Sequence, residues 1–104
     1  MSDSTIEIGS IHIEGVIKLH TQSEAPATED HHAHIYGASL SGSTHVYVQD
    51  GDGNQTKISP HNEQGEWEYY CRNVKTGKHI KINMEKMIRK LEEITGESFI
   101  EIIE

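Results

Sequence analysis

A histidine cluster at residues 31, 32 and 34 is the part of this chain whose residue types and spacing come closest to metal chemistry. On a strand, the single residue between His32 and His34 would put both imidazoles on one face, where they can ligate one ion. The pair supplies two ligands and a structural zinc site takes four, although three copies around an axis would supply six. Glu29 and Asp30 precede the cluster, a setting typical of solvated loop histidines. His32 and His34 are therefore candidate ligands only, and we predict no metal site and no cofactor.

The segment Asp50–Asn54, DGDGN, begins with the acidic spacing of an EF-hand calcium loop. The sixth loop position is Gln55 where that loop needs glycine, and the twelfth is His61 where it needs glutamate. Apolar alternation also runs into and out of the segment. We therefore predict a hairpin turn, since Gly and Asn accept the positive backbone angles that such turns require.

Catalytic chemistry has little support in the sequence. Glu66 and Glu68 would share a strand face as paired acids can, but exposed acids on an edge strand are the commoner meaning of this pattern. Cys71 has no neighbouring signature of an activating base, so we interpret it as a packed side chain. Because no phosphate-binding loop or nucleophile elbow is present either, we predict that the chain is not an enzyme.

The composition and charge of the chain limit the classes of partner that it can bind. The net charge is −8, from 17 acidic and 9 basic residues, which disfavours direct binding to nucleic acid or to an anionic membrane. No stretch approaches the ~20 apolar residues of a membrane span, and the start has no apolar signal region. The lone cysteine suits a reducing compartment. Only 34% of the residues are hydrophobic, so the core that one chain can build is thin.

The elements that must position these residues are mainly strands. We predict a mainly β (α+β) fold of short antiparallel hairpins with one C-terminal amphipathic helix and an extended N-terminal arm. Residues 1–34 would form a strand-rich arm and polar loop, and residues 35–104 a small domain of hairpins and helix. Within the arm, alternation over residues 5–20 predicts short strands broken at Gly9 and Gly15, followed by an exposed loop over 21–34.

Two hairpins are predicted in the domain. A short strand at Ile35 and Tyr36 joins a hairpin whose strands, 45–48 and 55–58, flank the DGDGN turn. The second hairpin pairs residues 66–72 with 79–82 across the turn at 73–78. Its first strand is aromatic, with side chains at Trp67, Tyr69 and Tyr70.

The helix has the clearest boundaries in the sequence. Asn83 is a favourable N-cap, Glu85 suits the first turn, and Gly96 suits the residue after the last turn. Residues 97–104 then predict a final strand. Apolar residues at three- and four-residue spacing form a helix stripe for packing or oligomer contacts: Met84, Met87, Ile88, Leu91 and Ile94. The stripe fits packing on its own sheet and a small bundle around a symmetry axis equally well.

Residues 43–104 resemble, as a block, a C-terminal module of bacteriophage tail-fibre and related virion proteins, especially from viruses of aquatic bacteria. The resemblance rests on the VYVQDGDGN turn, the ISPHN segment at 58–62, the aromatic strand at 66–70, the turn at 73–77 and the helix at 84–96. It implies a virion structural protein that is commonly trimeric. The shortness of the chain favours a small accessory part, such as a capsid decoration or cement protein, a collar component or a tail-fibre adaptor.

The sequence therefore predicts a self-associating virion protein, assembled in the host cytoplasm. Its partners would be copies of itself, as a homotrimer, and larger capsid or tail proteins. A thin core, a long polar loop and unpaired strand edges are typical of a chain whose strands are completed by its neighbours. The alternative is a stand-alone metal- or glycan-binding module.

Overall fold

A computed structural model of the chain describes residues 9–103, in which six strands form one mixed sheet followed by a helix. The predicted mainly β fold with one C-terminal helix is confirmed, whereas the boundary at residue 34 stays a prediction. The strands are β1 (Thr21–Gln22), β2 (His34–Leu40), β3 (Ser43–Gln49), β4 (Gln55–Lys57), β5 (Glu68–Asn73) and β6 (Lys78–Asn83), and the helix is α1 (Met84–Thr95).

Strand order in the sheet follows chain order from β1 to β6. β1 is parallel to β2, and every later pair is antiparallel, as expected for strands joined by hairpin connections. The β2–β3 turn consists of Ser41 and Gly42, with φ of 50° and 84°, which is the backbone of a tight two-residue hairpin turn. The short strand predicted at Ile35 and Tyr36 is thus seven residues long.

The turn predicted at DGDGN is confirmed as the β3–β4 connection. The Asp50 carboxylate accepts hydrogen bonds from the backbone N–H groups of Asp52 and Asn54, at 3.0 and 2.9 Å, and from the Asn54 side chain. These three donors hold the pKa of Asp50 below its usual value. Gly53, with φ of 95°, supplies the left-handed position.

The predicted second hairpin is confirmed as β5–β6, with Gly77 at φ of 68° in its turn. The aromatic strand begins at Glu68, two residues later than expected. Trp67 instead forms an isolated antiparallel bridge with His61, which closes the loop between β4 and β5.

Both predicted ends of the helix are confirmed. Asn83 accepts a hydrogen bond from the backbone N–H of Lys86 at 2.9 Å, and Gly96, with φ of 73°, donates its N–H to the carbonyl of Glu92. Residues 9–103 contain no helix with the length and apolar character needed to span a membrane.

Three local predictions are wrong. Residues 9–20 contain no strand, and the alternating Ile6 and Ile8 lie outside the described residues. The predicted loop 21–34 begins with β1, because Thr21 pairs beside Gly37 of β2 and its hydroxyl bonds with that of Thr44. Residues 97–103 form no strand.

The segment after the helix folds back on α1 instead of joining the sheet. The Glu92 carboxylate accepts hydrogen bonds from the backbone N–H groups of Phe99 and Ile100, at 2.8 and 3.1 Å. These bonds lower the pKa of Glu92. They occupy backbone donors that a final strand would have used for pairing.

Candidate functional site

The sheet has two faces of opposite chemistry. Because cross-strand partners share a face, one row of side chains runs through five strands from Ile35 to Val48, Thr56, Cys71 and Ile80. We define the apolar face as this row together with Val46, Tyr69 and Ile82. The opposite side, which we call the tyrosine face, carries Tyr36, Tyr47, Tyr70, Lys57, Glu68 and His79.

The apolar face is largely uncovered. Ile35, Tyr69, Ile80 and Ile82 are exposed, and the valines and Cys71 between them are only half-buried. These residues belong to predicted strands, but their common face was not predicted. The signal was present in the segment KHIKIN, whose alternation puts Ile80 and Ile82 on the same side of β6.

The tyrosine face is the better covered side. Tyr36 stacks on Tyr47 with ring centroids 5.7 Å apart, and Tyr47 meets Tyr70 edge to face at 6.3 Å. The Tyr70 hydroxyl lies 2.6 Å from Nδ1 of His79. Burial raises the pKa of Tyr36 and of Tyr47. Of the predicted aromatic residues, Tyr70 therefore lies on this face, and Tyr69 lies on the other.

An ion pair lies near the centre of the tyrosine face. The Lys57 ammonium donates to the Glu68 carboxylate at 2.8 Å and to the carbonyl of His61 at 2.7 Å, and the two side chains are 1% and 10% exposed. The expectation that Glu66 and Glu68 are exposed acids on an edge strand is wrong. β5 is an interior strand, and Glu66 accepts from Asn62 and Asn83 at 3.3 and 3.1 Å.

His45 lies beside this pair on the same face. Its Nδ1 atom is buried and has no hydrogen-bond partner within the described part of the chain. Burial, together with the positive charge of nearby Lys57, lowers the pKa of His45 below its ordinary value of 6.5. The ring is therefore neutral near pH 7, which avoids a second buried positive charge next to Lys57.

The candidate metal ligands His32 and His34 already have partners in their own chain. His34 Nδ1 lies 3.0 Å from the side-chain oxygen of Gln49, and His32 Nδ1 lies 2.7 Å from the carbonyl of Asp30. Only His34 belongs to a strand, so the expected one-face arrangement on a strand does not form. In residues 9–103 no three His, Cys, Asp or Glu side chains are grouped to hold a metal ion.

The helix stripe is not covered by the sheet. No residue of α1 is buried, and Met87, Leu91 and Ile94 are exposed, while Met84 and Ile88 are half-buried. The helix contacts the sheet at its start, where the Met84 N–H donates to the carbonyl of Trp67 at 3.0 Å, and contacts the segment after it through Glu92. The stripe is therefore available to a partner.

The whole chain exposes far more surface than its size predicts. Its accessible area is 8654 Å² at 11.7 kDa, whereas a folded monomer of that mass exposes about 5,900 Å². Its one well-buried apolar side chain among the described residues is Tyr36, and sixteen large apolar side chains are 41–86% exposed. The excess of about 2,800 Å² in one chain is above the roughly 1,000–2,500 Å² that one partner contributes to a permanent interface, and the exposed residues 9–18 account for part of it.

The chain matches no protein-family model, no curated protein sequence and no solved structure.

Proposed function

We propose that the chain is a self-assembling structural subunit of a bacteriophage virion, acting as a homotrimeric accessory part of the capsid, collar or tail. The observation that carries self-assembly is the surface excess of about 2,800 Å², to which the exposed side chains of the arm, the apolar face and the helix stripe all contribute. Monomers rarely leave a whole sheet face of apolar side chains uncovered, so copies of the chain are the natural cover. The virion role and the threefold state rest on the resemblance of residues 43–104 to tail-fibre modules.

An extended N-terminal arm is part of this proposal. Residues 9–18 are all exposed, and they include Ile11, Ile13, Val16 and Ile17. Such a segment gains stability when a neighbouring copy covers it. The radius of gyration of 17.4 Å is consistent with this, because a compact chain of this length has about 13 Å.

Introducing positive charge on the apolar face tests the assembly. The double variant Ile35→Lys, Val48→Lys changes a cross-strand pair on that face and should reduce the wild-type oligomer to a monomer in sedimentation velocity. The control Gln64→Lys adds one positive charge in an exposed loop and should keep the wild-type mass. If the double variant sediments like the wild type, the apolar face is not the interface.

The virion role has a separate test. Virus particles purified from the native source should contain this chain in a fixed ratio to the capsid or tail proteins, measured by quantitative peptide mass spectrometry. Electron microscopy of the same particles then locates it on the capsid, neck or tail. An oligomer that is absent from purified particles would refute the virion role and leave self-assembly standing.

A further inference from the structure

The outer edge of β6 is the open edge of the sheet. The other edge is β1, which is two residues long, and short edge strands are a common protection against pairing. β6 is six residues long and has no strand on its outer side in residues 9–103. Ile80 and Ile82 lie on its apolar side, and His79 and Lys81 on its tyrosine side.

The residues 10–14 of the arm have a matching alternation. His12 and Glu14 point the same way, since His12 Nε2 lies 3.4 Å from the Glu14 carboxylate. Ile11 and Ile13 therefore occupy the other side, and both are exposed. The segment has the two-sided pattern of a strand but forms no strand in its own chain.

Residues 10–14 and β6 are complementary in charge and in their alternation of apolar and polar side chains. A parallel register that pairs Ile11 with Ile80 and Ile13 with Ile82 puts His12 opposite Lys81 and makes Glu14 the diagonal neighbour of Lys81 on the same side. Three lysines, at 75, 78 and 81, lie in or next to β6 of a chain whose net charge is −8. Pairing of β6 with another β6 would bring these lysines together, which disfavours that arrangement.

The same chain is poorly placed to supply this strand to itself. The arm leads into β1, and β1 and β6 are opposite edges, separated by five strand spacings or about 24 Å. The segment would have to cross a face of its own sheet almost fully extended. A neighbouring copy can present its β6 directly.

We propose that residues 10–14 of one copy add as a further, parallel strand to the outer edge of β6 in a neighbouring copy, with Ile13 opposite Ile82 and Glu14 diagonal to Lys81. The proposal rests on the proposed self-assembly and specifies one of its contacts. Because donor and acceptor surfaces differ, the contact is head-to-tail, and it closes into a ring when the rotation between copies returns to the start. Main-chain hydrogen bonds supply affinity and the side-chain match supplies specificity.

Cysteine pairing tests the contact directly. In a Cys71→Ser background, chains carrying Ile13→Cys are mixed with chains carrying Ile82→Cys and oxidised mildly. We expect the mixed disulfide dimer to form, because facing residues of paired strands lie about 4.5–5.5 Å apart between Cβ atoms. The matched control replaces Ile82→Cys by Glu93→Cys, on the exposed helix surface, and should give no mixed dimer above background.

Two other outcomes of the oxidation experiment would overturn the proposal. A disulfide of Ile82→Cys with itself would mean that β6 pairs with β6. Equal yields with Ile82→Cys and Glu93→Cys would mean that the arm makes no fixed contact.

A charge swap gives an independent readout. Glu14→Lys and Lys81→Glu should each raise the concentration of half-assembly by about three- to fivefold, because each gives these diagonal neighbours the same charge. The double variant should recover the wild-type value, and failure to recover would overturn the assigned register. Ile11→Asp, Ile13→Asp separates the two proposals: unchanged oligomer mass refutes the arm contact alone, whereas a wild-type monomer refutes self-assembly as well.

Discussion

Lys57 and Glu68 show how a short polar chain builds an ordered sheet. Each would be costly to bury alone, and together they satisfy one another while Lys57 also donates to the carbonyl of His61. Their contact joins β4 to β5 and holds the loop between those strands. At this position the chain uses a paired charge where larger domains use aliphatic side chains.

Removing one member of this ion pair should destabilise the fold much more than removing both. We expect Lys57→Met to lower the free energy of unfolding by about 3 kcal/mol, because Glu68 is left as a buried, unpaired charge. The double variant Lys57→Met, Glu68→Leu should regain most of that loss. Urea unfolding at fixed protein concentration measures both, and equal stabilities for wild type and Lys57→Met would contradict this account of the pair.

His45 should make the fold sensitive to mild acid. The pKa of His45 is lower in the folded chain than its ordinary 6.5, so the unfolded chain binds more protons as the pH falls. The stability associated with neutral His45 is fully present above pH 6.5 and is lost as the pH falls towards the folded pKa. The groups that act on it are Lys57, His61 and Glu68.

In His45→Gln, the temperature of the thermal unfolding midpoint should therefore fall less between pH 7 and pH 5 than it does in the wild type. The matched control makes the same substitution at His32, an exposed loop histidine. A profile that keeps its full slope in His45→Gln would assign the acid sensitivity to other groups.

At the scale of elements, the sequence predicts best where the signal is local. Asn83, Gly96 and the Asp50 turn act through their own backbone neighbours, so their residue types alone indicate where the helix ends and the β3–β4 chain reverses. Partners distant in sequence decide the rest. β1 depends on Gly37 and Thr44, and residues 97–103 follow Glu92 instead of their own alternation.

The sequence also predicted the candidate surfaces only in part. The helix stripe follows from three- and four-residue spacing, but only the fold shows that the sheet leaves Met87, Leu91 and Ile94 exposed. Glu68 looked like an exposed acid because strand alternation does not reveal which strands lie inside a sheet. The contact with Lys57 depends on the β4–β5 pairing, which sequence alone leaves open.

The helix cap gives a prediction at this scale. Asn83→Ala should destabilise the chain by about 1 kcal/mol, because the Lys86 N–H loses its acceptor and Glu66 loses a donor. Asn83→Ser keeps a capping oxygen and should lose less. Thermal melting followed by circular dichroism at 222 nm compares the two variants, and equal losses would indicate that the cap contributes little.

The helix stripe should contribute to assembly. Met87→Glu, Leu91→Glu places two acids on the exposed stripe and should raise the half-assembly concentration by more than about tenfold, given the apolar area lost from the interface. Lys90→Gln, on the polar side of α1, serves as the control. Analytical ultracentrifugation measures both, and an unchanged assembly curve for the double variant would place α1 outside the interface.

At the scale of the whole molecule, the surface area, the radius of gyration and the uncovered sheet face point the same way. The accessible surface is too large for a monomer of 11.7 kDa, the radius of gyration is 17.4 Å where about 13 Å is expected, and the apolar face has no cover in its own chain. Each is expected of a subunit whose core is completed between chains. A head-to-tail ring would cover the arm and the β6 edge together.

The most direct test of this account is the mass of the intact chain in solution, measured by light scattering over a wide range of concentrations. The account predicts a discrete species at about three times the chain mass of 11.7 kDa, which dissociates on dilution together with loss of stability. A single species at 11.7 kDa across the whole range, with a sharp and concentration-independent melting transition, would contradict it.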